Sequence, residues 1–153
     1  MKVAIGCDHA GYELKERLKS EMARLGHEIV DVGTASADPP VDYPDFCFPV
    51  GEKVAAGEVD RGVVIGGSGI GESIAANKVA GVRAAVVTSE ATARLTREHN
   101  DSNVLALGAR TNDHAAAVAW LRIWLETAYE GGRHERRLRK IRDYEAAHLV
   151  GGR

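Results

Sequence analysis

Short β-branched runs alternate with amphipathic stretches along nearly the whole chain, and this alternation constrains the fold more than any single residue does. Residues 2–6 read as a buried strand, and over 11–25 Leu14, Leu18, Met22 and Leu25 recur at helical spacing. Residues 28–32 read as a second strand, and 33–46, with three prolines, as a loop. A helix over 47–57 follows, then strand 62–65, helix 72–79, strand 82–87, helix 90–98 and strand 104–107. A long helix over 111–128 comes next, with Val118, Leu121 and Leu125 on one side. After Gly131-Gly132, a basic helix over 133–148 closes the chain. Strands alternating with helices predict an α/β sandwich around a parallel sheet, with helices on both faces. At 153 residues the expectation is one domain over 1–153, with 133–148 as a C-terminal helix.

Composition narrows the function classes. A formal net charge of −2 and the small aromatic share of 5% argue against a nucleic-acid surface. No apolar stretch approaches the roughly 18 residues of a membrane span, and the run 1–6 is too short for a signal peptide's apolar segment. Cys7 and Cys47 do not make a CxxC pair, so neither a disulfide scaffold nor a zinc ribbon is expected, and a reducing cytoplasm is. No HExxH, Cys/His cluster or acidic loop suggests a metal.

In open parallel sheets ligands bind beyond the carboxyl ends of the strands, so the residues after each strand are the candidates. These are Asp8-His9 after the first, Gly66 to Glu72 after the third, 88–90 after the fourth, and Gly108 to Arg110 after the fifth. The glycine-rich turn is the strongest of them. It is not a dinucleotide motif, because position 72 is Glu72 rather than glycine, and it is not a P-loop, because no Gly-Lys-[Ser/Thr] follows. It also misses the nucleophile pattern around Ser68, where Ile70 stands in place of a glycine. As a strand-to-helix turn it can aim backbone N–H groups at an anion, or it can serve packing alone. Glu72 reads either as a first-turn acid facing the helix dipole or as a base beside N–H donors. Asp8 reads as a helix cap or a site carboxylate, and His99-Asn100 as a helix end or a site pair. Cys7 reads as a small buried residue. The arginines of 133–142 form a solvated face, or Arg133 and Arg137, four apart, grip one phosphate.

Several runs together resemble the ribose-5-phosphate isomerase B family, which includes the galactose-6-phosphate isomerase subunits. They are Gly6-Cys7-Asp8-His9-Ala10-Gly11, Asp42-Tyr43-Pro44, Gly67-Ser68-Gly69-Ile70-Gly71 with Ile74-Ala75-Ala76-Asn77-Lys78, Arg97-Glu98-His99-Asn100 and Glu130-Gly131-Gly132-Arg133-His134. The resemblance implies a Rossmann-like three-layer sandwich with a five-stranded sheet. It implies a dimer or dimer of dimers, and aldose–ketose interconversion of sugar phosphates without metal or organic cofactor. By motif, His99 resembles the ring-opening residue. Asp8, Gly67 to Gly71 and Asn100 resemble the residues that hold the sugar and its enediolate, with Ser68 also catalytic and Tyr43 lining the substrate. His9, Arg110, Arg133 and Arg137 resemble the phosphate end, the two last arginines reaching the neighbouring subunit's site. Many members carry a cysteine base where this chain has Gly66 and an apolar residue where it has Glu72. A second branch is similar to this chain at both positions, which implies that the base is Glu72. Ribose 5-phosphate is then the expected substrate. The alternatives are a six-carbon substrate (allose 6-phosphate or galactose 6-phosphate) and a non-catalytic phosphosugar-binding module.

Overall fold

The computed structural model describes residues 1–149; residues 150–153, the end of the expected domain, lie outside the described residues. The apolar runs become strands β1 (Lys2–Cys7), β2 (Glu28–Asp31), β3 (Arg61–Gly66), β4 (Ala84–Val86) and β5 (Val104–Gly108). They pair in parallel in the order β2-β1-β3-β5-β4. The helices are α1 (Tyr12–Arg24), α2 (Pro44–Ala55), α3 (Ile70–Ala76), α4 (Glu90–Asn100), α5 (His114–Glu126) and α6 (Arg133–His148). Among them no helix is long and apolar enough to cross a membrane.

The period of two along each strand divides the core between the sheet's faces. Val3, Ile5, Cys7, Val63, Ile65, Leu105 and Leu107 pack with α1, α4 and α5 around the fully buried Trp124. Ala4, Val64, Val104 and Ala106 face the other way, onto α2 and α3. That second face is built of small residues because α2 lies close to it. A Cβ at Gly6 would fall 2.6 Å from the Phe46 carbonyl oxygen, and one at Gly62 2.5 Å from Val50. The three-layer sandwich expected from the alternation is therefore present, and α6 packs outside it through His134 and Leu138.

The boundaries differ where local chemistry overrides periodicity. The second helix starts at Pro44 rather than 47, because proline fits a first turn, whose N–H groups have no partner within the helix. The third is only seven residues long, from Ile70 to Ala76, with Asn77 as its C-terminal cap. The Asn77 amide then accepts from the Ala84 N–H (2.8 Å) and donates to its carbonyl (2.9 Å). One side chain thus does for the outer edge of β4 what a sixth strand would do, and the strand is correspondingly brief. The fourth helix runs through Asn100, and the left-handed residue that ends it is Asp101 (φ 44°). The fifth begins at His114, capped by the Asp113 carboxylate on the Ala116 N–H.

Candidate active site

At the carboxyl edge of the sheet, three strand ends converge. The buried Asp8 leaves β1 in an extended conformation, and its carboxylate accepts from the N–H groups of Ala10 (2.9 Å) and Gly11 (3.1 Å). The capping geometry is therefore realised, and it also fixes the carboxylate at the site. The Val41 backbone pins the His9 ring through Nδ1, with its N–H at 3.1 Å, so Nε2 is the nitrogen left for a ligand. Between β3 and α3 the chain turns through Gly69 at φ 79°, where a Cβ would also lie 2.9 Å from the Leu107 backbone; only glycine suits both demands. The turn is tied to the end of β5 by the Ala109 and Arg110 N–H groups, which donate to the carbonyls of Gly66 (2.8 Å) and Gly67 (2.9 Å). Ser68 Oγ accepts from the Ile70 N–H (3.2 Å), which leaves its own hydrogen to donate. The Tyr43 ring abuts Gly71, where a Cβ would sit 2.7 Å from Cζ, and exposed Arg110 lies over Gly67.

Glu72 is the unusual member. It is only 3% exposed, and a Cβ at Gly66 would fall 1.6 Å from its Oε1 and 2.3 Å from its Cδ. The carboxylate thus fills the volume that any side chain at position 66 would take. Burial pushes its pKa above the ordinary carboxylate value, and the charge of Asp8 adds to this, while the N–H groups of Glu72 and Gly69 hold it back. A carboxyl group with a raised pKa beside backbone donors can exchange a proton with a carbon acid.

The thiols have the opposite character. Cys7 and Cys47 are fully buried, and burial pushes Cys7 up to about 12 and Cys47 higher still. Neither is a thiolate at neutral pH, and the nucleophile in alkylation is the thiolate. Iodoacetamide is therefore expected to leave the activity of the folded protein intact, as checked by mass spectrometry alongside an activity assay. Rapid loss on modification of the folded chain would contradict this.

His99, Asn100, Arg133 and Arg137 do not join these residues within one chain. α4 runs back from the carboxyl end of β4, so its last turn sits where β4 and β5 begin: Arg83 Nε donates to the Asn100 carbonyl (3.1 Å), and the Asn103 N–H to the Arg83 carbonyl (3.2 Å). A strand of five or six residues is about 15–20 Å long, so this group faces the opposite end of the sheet from Glu72. Buried Arg97 secures the turn by donating to the carbonyls of Ser102 (2.6 Å) and Thr127 (3.3 Å) and pairing with Asp101. A cleft of about 360 Å³ opens beside it between Asn100, Arg83 and Ala84 on one side and Leu138 and Ile141 on the other. Leu138 is buried on its own chain, whereas Ile141 and Tyr144 remain exposed, as do Ile70 and Ile74 on α3. Two further residues here carry no role that the sequence predicts. Buried His134 stacks on His99, and Glu130 faces it. A polar stretch with arginines on either side gives no periodic signal of such burial.

The Ribose/Galactose Isomerase family model matches residues 3–141. Ribose-5-phosphate isomerase B of Escherichia coli is 46% identical over 140 residues, spanning 92% of this chain and 93% of the relative. The solved structure of the Clostridium thermocellum ribose-5-phosphate isomerase B superposes with a TM-score of 0.93 at 48% identity, covering 96% and 99% of the two chains. That of the Mycoplasma genitalium enzyme, with bound ribulose 5-phosphate, does so with a TM-score of 0.92 at 40% identity, covering 96% and 97%.

Proposed function

The chain belongs to the ribose/galactose isomerase family, and on that premise we propose that it interconverts ribose 5-phosphate and ribulose 5-phosphate with Glu72 as the base. The observation that carries the choice of base is the Glu72 carboxylate lying in the side-chain volume of position 66. Glu72 takes the proton from C2 of the open-chain aldose, the electron pair moves between C1 and C2, and negative charge develops on O1. The proton then returns to C1, while the hydroxyl proton of O2 passes to O1. Ser68, whose hydrogen is free to donate, is assigned to that passage, and the backbone of Gly67 to Gly71 to hydrogen bonding the enediolate. Asp8 and Tyr43 hold the sugar, and His9 and Arg110 lie at the phosphate end.

The second half of the site comes from another copy of the chain. His99, Asn100, Arg133 and Arg137 stand at the wrong end of the sheet for their own Glu72, and a two-fold pair supplies each glycine turn with its partner's set. The exposed Ile70, Ile74, Ile141 and Tyr144 favour such a pair, because a lone helix gains nothing from apolar groups in water. A homodimer, alone or paired again, is the assembly we infer. Each protomer is read as one domain with 133–148 as its arm, working on a small sugar phosphate in the cytoplasm.

His99 is assigned to ring opening: it moves a proton between the anomeric hydroxyl and the ring oxygen of the furanose. Ribulose 5-phosphate cannot form that ring, because its C5 oxygen carries the phosphate. His99→Asn is therefore expected to slow turnover of ribose 5-phosphate by about 10²–10⁴, the usual worth of a positioned acid–base group. The rate from ribulose 5-phosphate should fall far less, since open-chain aldehyde can leave and close in water. kcat at saturating substrate in both directions checks this, and equal losses of kcat would remove the assignment.

A further inference from the structure

His134 opens α6 between the two arginines assigned to phosphate. It is 6% exposed. Its ring lies 4.3 Å from that of His99 with 15° between the planes, so the two imidazoles are stacked. Its Nε2 is enclosed and among the described residues has no hydrogen-bond partner, the carboxylate oxygen of Glu130 standing 3.6 Å away. Ligand atoms of His99, Glu130 and His134 lie within 4.8 Å of one another. Rings this close to parallel aim their in-plane lone pairs side by side, however, and no cation can lie along both. With no bond at the nitrogen, what the ring supplies is its flat face.

That face joins two elements with few other ties. Before α6 the backbone passes through Gly131 (φ 65°) and Gly132 (φ 56°), and only His134 and Leu138 of its sixteen residues are buried. We propose that His134 is a positioning residue whose stacked ring holds the His99 imidazole at a fixed spacing from Arg133 and Arg137. Ring oxygen and phosphate of one furanose are then gripped together. The proposal rests on the reading above that His99 opens the ring and that these arginines bind phosphate. A merely structural His134 would, when lost, lower all activities alike. A positioning His134 governs only the step that needs His99.

The test compares His134→Phe, which keeps a flat face, with His134→Leu, which fills similar space without one. For His134→Leu the rate from ribose 5-phosphate should fall by about 10- to 100-fold, the scale of an ångström-sized misplacement. The rate from ribulose 5-phosphate should change by less than about threefold, and His134→Phe should stay near wild type in both directions. Thermal unfolding is followed for each variant, and if the Leu variant does not fold, His134→Met takes its place. Equal losses in the two directions, a Phe variant as damaged as the Leu variant, or an undamaged Leu variant would each overturn the proposal. A wild-type protein unable to interconvert the two sugars would instead overturn the functional reading, and that result precedes any substitution.

Discussion

Glu72→Gln is expected to lower kcat for ribose 5-phosphate by about 10²–10⁴ while leaving KM within a few-fold of wild type. The amide fills the same space below Gly66 but cannot take a proton, so the loss falls on the transition state alone. Two pH observations accompany it. Wild-type kcat/KM should decline as pH falls through the Glu72 pKa, which burial holds above its ordinary 4.5. A carboxyl group whose folded pKa is raised favours the folded state below its unfolded pKa. That contribution is lost as pH rises through the folded value. The uncharged glutamine escapes this loss, and at neutral pH the variant should unfold at the wild-type temperature or above it. Lost turnover with undiminished stability separates a missing base from a damaged fold. Near-normal turnover would remove Glu72 from its role.

Mixing two inactive variants is expected to restore activity. Glu72→Gln damages the half-site at the glycine turn, and Arg137→Ala the half-site on α6. If each site combines halves from two chains, a mixed dimer has one intact site and one doubly damaged site. Random exchange in an equimolar mixture makes about half of the dimers mixed, so activity should rise to about a quarter of wild type. Arg137→Ala alone should act mainly through KM, because a phosphate grip is felt in ground and transition states alike. The mixture is therefore assayed at a substrate concentration where that variant is nearly silent. No recovery in a mixture shown to exchange subunits would mean that each chain completes its own site.

The strands and the glycine turn were legible because each rests on short-range rules. Short apolar, β-branched runs marked β1, β3 and β5, and crowded glycines marked a backbone forced close to its neighbours. Burial of charged groups was not legible in the same way. Lys15 reads as solvent-facing, yet it is 2% exposed and donates to Asp31 and to the Thr34 carbonyl, which anchors the loop leading to Tyr43. Arg97 is buried by carbonyls that come from the residue after α5 and from the turn after α4, contacts that no local pattern encodes. The division of the candidate site was partly accessible from connectivity. A helix that follows a parallel strand must end at the opposite edge, which separates His99 and Asn100 from Glu72 before any coordinate is known. The residues after each strand make one half-site, and the other lies on helix ends at the opposite edge. The exclusion between Gly66 and Glu72 is not local in sequence, since the turn Gly67 to Gly69 and the first residues of α3 bring them together.

If a proton moves between C2 and C1 through the Glu72 carboxyl, isotopic label follows that proton. With ribose 5-phosphate deuterated at C2 and water as solvent, ribulose 5-phosphate is isolated early and the label at C1 is measured. A carboxyl group that can exchange with solvent predicts partial loss of deuterium in the wild type, and in Glu72→Gln product formation and exchange slowed together by about 10²–10⁴. Complete retention of deuterium at C1, with undiminished transfer in the Gln variant, would show a route that bypasses Glu72 and would contradict the account.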